Sequence, residues 1–142
     1  MSQFRFYHPV EVRYGDLDPQ GHVNNAKHLT YFEQARIAYL MELGLFTKDQ
    51  SFMEIGVILA DVHITYVEPV YFGQNIKVGV HIAELRNKSM KWAQNILDVE
   101  SGREIANGEV IMVTYDYRAG KTIPIPQEWR DKISVFESSV VE

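Results

Sequence analysis

The sequence contains no cysteine among its 142 residues. Disulfides, thiolate metal sites and cysteine nucleophiles are therefore excluded, and any catalysis must use other side chains. No apolar run approaches the roughly 18 residues that a membrane-spanning helix needs. The first residues, MSQFRFYHPVEV, lack the basic-then-apolar order of a signal peptide. We therefore expect a soluble, cytoplasmic protein with no membrane partner.

Basic residues are outnumbered by acidic ones, with 14 Lys and Arg against 19 Asp and Glu and a formal net charge of -5. Nucleic-acid binding relies on clustered Lys and Arg that neutralise phosphates, so this balance argues against a nucleic-acid partner. An anionic ligand would need a local basic patch. No Gly-, Ser- or Pro-rich stretch suggests a linker, and residues 1–142 are predicted to form a single domain.

The hydrophobic pattern of the first third predicts one strand followed by one long helix. Apolar and polar residues alternate over residues 4–14, which is typical of a strand with one buried face. Apolar residues then recur every three or four positions over residues 29–43, and Gly44 follows as a helix C-terminal glycine. Tyr31 and Tyr39 widen the apolar surface, so we expect the helix to be covered on most sides.

Alternating segments fill the second half, at residues 58–66, 76–82, 90–99 and 105–115. The breaks between them, at 69–74, 84–89 and 100–103, have the length of hairpin connections. Long antiparallel strands twist enough to wrap around a helix. The order of elements therefore predicts an α+β domain in which an antiparallel sheet wraps around one long central helix.

The polar stretch GDLDPQGHVNN, residues 15–25, lies between the first predicted strand and the helix. Asn24 and Asn25 can cap free amides at the helix start, and Asp and Gly are common in turns. A helix N-terminus also carries unpaired N–H groups and a positive potential. Asp16, Asp18 and His22 beside it form a candidate site for developing negative charge.

Three kinds of chemistry can be tested against this loop. Asp16 and Asp18 follow the start of a calcium-binding EF-hand loop, but the position of its final Glu is Lys27 and a strand precedes the loop, which excludes calcium. His22 and His28 lack the spacing and the third ligand of a zinc site, so no metal is predicted. The remaining hypothesis is a carboxylate that acts on a carbonyl substrate, with helix amides as the oxyanion hole.

The segment YGDLDPQGHVNNAKHLTYFEQAR, residues 14–36, resembles the signature of hotdog-fold acyl-CoA thioesterases of the 4-hydroxybenzoyl-CoA thioesterase type. The later ITYVEPVYFGQNIKV, residues 64–78, resembles the second half of that family. The resemblance implies the hotdog fold, hydrolysis of an acyl-CoA to a carboxylic acid and CoA, and no metal or redox cofactor. It also implies homodimers or homotetramers with continuous sheets and with sites formed between subunits.

The resemblance assigns roles to residues of the loop and the helix start. Asp18, the second acid of the D-x-D pair, is implied to be the catalytic carboxylate, as general base or as nucleophile. The first helical amides, around Asn25, are implied to polarise the thioester carbonyl. His22 is grouped with these catalytic residues, and Asn24 with those that bind substrate. His28 also falls in the substrate-binding group, at a position where relatives often have Tyr, which leaves the acyl preference open.

Further residues are assigned to substrate binding or to a reserve role. Tyr66, at the end of a predicted strand, is assigned to substrate binding. Glu33 on the helix is a second candidate acid, because a helical carboxylate serves other hotdog branches, and Arg36 is expected to pair with it. The predicted turn RNKSMK is our candidate basic patch for the CoA phosphates, through Arg86, Lys88, Ser89 and Lys91.

Two other functions remain open from the sequence. GDLDP is similar to the G-D-x-N-P-x-H motif of acyl-CoA hydratases and dehydratases, but Asp18 replaces the asparagine and His22 comes one residue late. A non-catalytic acyl-CoA binding module would use the same pocket without turnover, although a buried carboxylate costs stability unless something uses or satisfies it. His8, His63 and His81 lie on predicted strands and are interpreted as structural or surface groups.

Overall fold

The computed structural model describes residues 4–51, 54–138 and 140–142. A short strand and a 3-10 turn precede a long helix, and the remaining strands and a second helix follow. In chain order these elements are β1 (Phe6–Val10), the 3-10 turn (Tyr14–Asp16), α1 (Asn25–Glu42), β2 (Ile55–Tyr66), β3 (Ile76–Leu85), β4 (Ser89–Asp98), β5 (Glu104–Asp116), β6 (Lys121–Thr122) and α2 (Gln127–Glu137). The predicted α+β class, with an antiparallel sheet against a long helix, is confirmed.

The strands form one antiparallel sheet in the order β1-β3-β4-β5-β2, with the short β6 beside β5. Two predicted hairpins are present, because β3 pairs with β4 and β4 pairs with β5. The third is wrong. β2 pairs with β5 and lies at one edge of the sheet, whereas β3 lies beside β1 near the other edge. The chain between β2 and β3 is therefore a crossover, and it brings the residues after Tyr66 past the helix start.

One face of α1 packs into the core, where Phe32, Ala35 and Tyr39 are fully buried. On the rest of the helix, Leu29 is 37% exposed and Met41 is 44% exposed. The expectation that α1 is covered on most sides is thus wrong for a single chain, because the sheet covers only one face.

The first strand is shorter than the alternation predicted. β1 pairs with β3 only from Phe6 to Val10. The chain then turns at Tyr14–Asp16, where the carboxylate of Asp16 accepts the N–H of Arg13 at 3.0 Å. This bond draws the chain into a turn before the strand can continue to Tyr14.

The second helix, α2, was missed in the sequence. It is held by Glu137, whose side chain is 1% exposed. One carboxylate oxygen lies 2.8 Å from Nδ1 of His81, and the other accepts the Tyr39 hydroxyl at 2.6 Å and the Ile82 N–H at 3.1 Å. These bonds join α2 to α1 and β3, and they agree with the structural role expected for His81.

Candidate active site

The polar loop between β1 and α1 closes on itself. Leu17 and Val23 form an antiparallel bridge. Inside it, the N–H of Asp18 donates to the His22 carbonyl at 3.0 Å, and the N–H of Gly21 donates to the Asp18 carbonyl at 3.0 Å. Gly21 has a φ of 88°, a left-handed conformation that favours glycine. The backbone of Asp18 and His22 is therefore held together by a tight turn.

The side chain of Asp18 is half-buried and has a local partner. Its Oδ1 accepts the N–H of Gln20 at 2.9 Å, an Asx-type contact that orients the carboxylate. The second oxygen forms no hydrogen bond within the described residues. The loop thus presents one oriented carboxylate a few residues before the helix.

Asp16 is placed very differently from Asp18. It is 1% exposed, and its Oδ2 accepts both the Tyr31 hydroxyl at 2.7 Å and the Arg13 N–H at 3.0 Å. Burial alone would raise the pKa of Asp16, but these bonds, with the charges of Arg13 and Lys27, lower that pKa below its ordinary value. Its contacts are those of a residue that anchors the loop to the helix.

The first backbone amides of α1 differ in whether Asn24 caps them. Asn24 is the N-cap: its Oδ1 accepts the N–H of Ala26 at 2.8 Å, and its carbonyl accepts the N–H of Lys27 at 2.9 Å. Asn25 is the first helical residue, so its N–H has no acceptor within the helix. The carbonyl of Asn25 accepts the hydroxyl of Tyr66 at 2.9 Å. The last residue of β2 therefore fixes the position of the helix start.

A cleft of about 220 Å³ opens beside this helix start. Its lining comes from the loop, from α1 and from the crossover after β2, and consists of His22, Val23, Asn25, His28, Tyr66, Val67, Glu68 and Pro69. Four residues that the sequence assigned to the site, His22, Asn25, His28 and Tyr66, thus come together. Asp18 and Asn24 are outside the lining of this cleft in the single chain.

His28 is the most deeply buried polar residue of the cleft, at 2% exposure. Among the described residues, neither ring nitrogen has a hydrogen-bond partner of good geometry, although the carbonyls of Asn24 and Asn25 are close enough to bond weakly to the ring. The ring packs edge-on against Tyr66, with centroids 4.9 Å apart, and also contacts Tyr31. Burial lowers the pKa of His28, and the nearby carbonyls of Asn24 and Asn25 offset this only in part.

Glu68 is a cleft residue that the sequence analysis missed. It is half-buried and forms an ion pair with Arg103, with Oε1 and Nη2 2.9 Å apart. Nothing in its sequence segment, YVEP, indicated that it belongs to a site. Only the crossover from one edge of the sheet brings it to the helix start.

The predicted basic patch lies away from the cleft within one chain. Ser89 begins β4 and pairs with Val113, whereas Tyr66 lies beside Ala106, which pairs with Ile96 near the other end of β4. Ser89 and Ile96 are separated by about 23 Å at the usual strand rise.

Two of the three cations of this patch already have acidic partners. Arg86 contacts Glu84 with both Nε and Nη2, at 2.9 and 3.3 Å, and Lys91 lies 2.6 Å from Glu109. Lys88 is exposed, and the described residues provide it with no ion-pair partner.

The expected pairing of Glu33 with Arg36 is wrong. Arg36 is 6% exposed and donates from Nη1 to Oε1 of Gln94 at 3.0 Å, whereas Glu33 is on the exposed side of α1. Arg36 belongs to the face that packs on the sheet, and burial lowers its pKa; the charge of Glu33 acts on it from outside ion-pair distance and offsets that effect only in part. Glu33 and Arg36 both border a second cleft, along the middle of α1 rather than at its start.

Among residues 4–51, 54–138 and 140–142, no three His, Cys, Asp or Glu side chains are grouped so as to hold a metal ion. No helix of the described chain combines the length and apolarity needed to cross a membrane. The cytoplasmic location and the single domain stay predictions.

Comparison with known proteins gives a consistent result. The family model of the Thioesterase-like superfamily matches residues 12–133. The long-chain acyl-CoA thioesterase FadM of Escherichia coli strain K12 is 26% identical over 124 residues, which are 87% of this chain and 93% of FadM.

Solved structures agree over nearly the whole chain. The PA5185 protein of Pseudomonas aeruginosa strain PAO1 superposes with a TM-score of 0.86 and 29% identity, covering 97% of this chain and 95% of that one. A thioesterase from Thermus thermophilus, solved with coenzyme A and Zn, has a TM-score of 0.82 and 30% identity, covering 97% and 98%. The chain belongs to the Thioesterase-like superfamily and is a thioester hydrolase with the hotdog fold.

Proposed function

We propose that the protein hydrolyses acyl-CoA to a carboxylic acid and CoA, as an acyl-CoA thioesterase of the 4-hydroxybenzoyl-CoA thioesterase type. The observation that carries this proposal is the free N-terminus of α1 at Asn25, which opens into a cleft and is fixed by Tyr66. An N–H at the positive end of a helix, in a residue that lines a cleft, suits the oxygen of a thioester carbonyl. The similarity to FadM and to a CoA-bound thioesterase supports CoA as the thiol carrier.

Asp18 supplies the carboxylate of the proposed mechanism. Either it takes a proton from a water whose oxygen adds to the carbonyl carbon, or it attacks that carbon and forms a mixed anhydride that water then hydrolyses. In both cases the carbon–sulfur bond breaks and the CoA thiolate leaves and takes up a proton. The Asn25 amide at the helix start stabilises the oxyanion, while His22 and Asn24 keep the loop and the helix cap in place.

A second copy of the chain is proposed to complete the site. β2 is a 12-residue edge strand whose Ile58 and Leu59 are 42% and 48% exposed, and such an edge favours pairing with another strand. A partner would also explain why Asp18 is outside the cleft of its own chain. We therefore expect a homodimer or homotetramer, and a monomer in light scattering at micromolar concentration would contradict this.

The catalytic assignment is tested with Asp18→Asn. The amide oxygen can still accept the N–H of Gln20, so the turn should keep its shape while the base or nucleophile is lost. We expect kcat to fall by about two to four orders of magnitude with acyl-CoA affinity retained. Glu68→Gln and Glu33→Gln are the matched acid-to-amide controls, and each should lose much less. Near-normal turnover in Asp18→Asn, or an equal loss in either control, would contradict the assignment.

The activity itself is measured on a panel of acyl-CoA esters with a thiol reagent. Hydrolysis releases the CoA thiol, hydration of an enoyl chain does not, and a binding module changes neither bond. Turnover across chain lengths also identifies the acyl group, which the sequence left open.

Lys88 is the residue of the basic hairpin best suited to a CoA phosphate, because Arg86 and Lys91 are already paired with acids. Since phosphate contacts lie far from the scissile bond, Lys88→Glu should raise KM several-fold and change kcat little, most strongly at low salt. Lys48→Glu, at an exposed loop lysine, is the control for the same change in net charge. An acyl-pantetheine thioester, which lacks the nucleotide, should be hydrolysed equally by wild type and Lys88→Glu.

Two outcomes of the Lys88 test would contradict this assignment. An equal loss on acyl-CoA and acyl-pantetheine would mean that the hairpin supports the fold or the acyl site. An unchanged KM for acyl-CoA would mean that the nucleotide binds elsewhere.

A further inference from the structure

His28 has unused hydrogen-bonding capacity inside the cleft. Its side chain is 2% exposed, and within the described part of the chain neither Nδ1 nor Nε2 has a hydrogen-bond partner of good geometry. A buried polar group without a partner costs free energy, and such groups in native proteins call for an explanation. Because the ring lines the same cleft as Asn25 and Tyr66, a ligand in that cleft is the natural source of the missing partner.

The position of the ring on the helix limits which part of a ligand it can meet. Helical side chains lean toward the helix N-terminus, so the imidazole lies over the turn that contains Asn24 and Asn25. The carbonyls of these two residues do influence the pKa of His28. Residues three apart on a helix have Cβ atoms about 5–6 Å apart, and we take this as the scale of the separation between the imidazole and the Asn25 amide proposed to bind the thioester oxygen. That span corresponds to a few single bonds along the acyl group.

The protonation state of the ring limits the chemistry of that partner. Burial lowers the pKa of His28, so the imidazole is neutral at pH 7. A neutral imidazole has one N–H donor and one nitrogen acceptor. A hydroxyl group, which both donates and accepts, matches it, whereas a plain methylene chain leaves both nitrogens unpaired.

We infer that His28 makes the site selective for acyl groups that carry a hydroxyl on the third carbon, counting the thioester carbonyl as the first. This rests on the proposed acyl-CoA thioesterase function and specifies its substrate class. The hydroxyl can belong to an aliphatic 3-hydroxyacyl chain or to an aromatic ring hydroxylated next to the thioester. Tyr66, whose ring packs against His28 and is 40% exposed, lines the same cleft beside this position.

The test compares matched substrates with and without the hydroxyl. One pair is 3-hydroxyoctanoyl-CoA and octanoyl-CoA, and the other is 2-hydroxybenzoyl-CoA and benzoyl-CoA. We expect wild type to prefer the hydroxylated member of at least one pair by about tenfold or more in kcat/KM, the scale of leaving a buried polar group unpaired. Whichever pair shows the preference identifies the aliphatic or aromatic source.

Variants then assign the preference to His28. In His28→Phe, which keeps a flat ring, the ratio of kcat/KM values should fall to near one, and His28→Gln, which keeps a donor and an acceptor, should restore part of it. His8→Phe, at a half-buried histidine on β1, is the control and should keep the wild-type ratio. A wild-type ratio near one for both pairs would overturn the inference, and so would a preference that survives in His28→Phe.

Calorimetric binding keeps this test separate from the proposed hydrolysis. The same substrate pairs are titrated into Asp18→Asn, and into Asp18→Asn combined with His28→Phe. Tighter binding of the hydroxylated ester that disappears in the double variant supports the inference even if no ester is hydrolysed, a result that would refute the proposed function alone. Equal binding of both members of each pair overturns the inference.

Discussion

Asp16 and Asp18 are two residues apart, yet their contacts predict opposite consequences of the same substitution. Asp16→Asn keeps the size of the side chain and removes its charge. In the folded protein Oδ2 accepts the Tyr31 hydroxyl and the Arg13 N–H, while Oδ1 faces Nη2 of Arg13 at 3.5 Å and Nζ of Lys27 at 4.0 Å. An asparagine can place its oxygen at the Oδ2 position and its NH₂ group toward the two cations.

The size of the effect follows from this geometry. Both buried donors keep an acceptor, but the bond from Tyr31 loses the strength that a charged acceptor gives. The ion pairs add little, because the Arg13 and Lys27 side chains are 69% and 38% exposed. We therefore expect Asp16→Asn to lower the free energy of unfolding by about 1–2 kcal/mol. Asp16→Ala, which leaves the two donors without an acceptor, should cost about 3 kcal/mol or more.

The pH dependence is a second, independent signature. Because the pKa of Asp16 lies below its ordinary value of 3.8 in the folded protein, the unfolded chain binds its proton more readily. The stabilisation is therefore fully present above about pH 4 and is lost as the pH falls through the folded pKa. Urea unfolding of wild type and Asp16→Asn should thus give a difference that is constant near neutral pH and shrinks on acidification below the ordinary pKa.

The activity of Asp16→Asn tests whether Asp16 or Asp18 is the catalytic carboxylate. At pH 7 and well below its melting temperature, Asp16→Asn should keep kcat within about tenfold of wild type, since it acts only through the position of the loop. A fall in kcat as large as that of Asp18→Asn, with stability unchanged, would refute this reasoning and shift the catalytic assignment by two residues. A stability difference that does not respond to acid would refute the assigned role of the Asp16 charge.

Two further predictions concern buried titratable groups. Because burial lowers the pKa of His28 from its ordinary 6.5, unfolding takes up a proton, and the free energy of unfolding should decrease as the pH falls below about 6.5. The decrease between pH 7 and 5.5, measured by urea unfolding, should be smaller in His28→Gln, and an identical slope would contradict the assignment. Glu137→Ala should lower stability by about 3 kcal/mol, because the donors of Tyr39 and Ile82 lose a buried acceptor. Thermal melting checks this, and a variant as stable as wild type would show that α2 is held by its apolar contacts alone.

The sheet and α1 could be predicted because their signals are local. Alternation over residues 76–82 and recurrence over 29–43 reflect the faces that each element buries, whatever it packs against. Strand order is not local in this sense. The short connection after Tyr66 has the length of a hairpin, and only the pairing of β2 with β5 shows that it is a crossover.

The helix α2 was not predicted from the sequence, for a related reason. Its buried residues Trp129 and Ile133 are four apart, but charged residues surround them and the apolar stripe is narrow. Its strongest anchor is Glu137, an acid that would be read as a surface residue. The partners that make its burial favourable, His81 and Tyr39, come from distant elements.

The candidate site likewise contains residues that a local motif could predict and a residue that only the fold brings in. His22, Asn25 and His28 are within one loop and one helical turn, so a local motif was enough to group them. Glu68 reached the cleft only through the crossover, and no feature of its own segment marked it.

Charge neutralisation was hard to predict, because it depends on which acidic side chains the fold brings within reach of each cation. The sequence places three cations within RNKSMK, which suggests a basic patch. In the fold, Arg86 pairs with Glu84, two residues before it, and Lys91 pairs diagonally with Glu109 of the neighbouring strand. A cation that is already paired must give up its acid before it binds a phosphate, so counting Lys and Arg along the chain overestimates the attraction for CoA. The same reasoning applies to Arg36, which forms no ion pair with Glu33 and donates instead to a neutral amide, the Gln94 side chain of β4. If CoA binds at this hairpin, as we propose, its phosphates depend on Lys88, the hairpin cation for which the described residues provide no acidic partner.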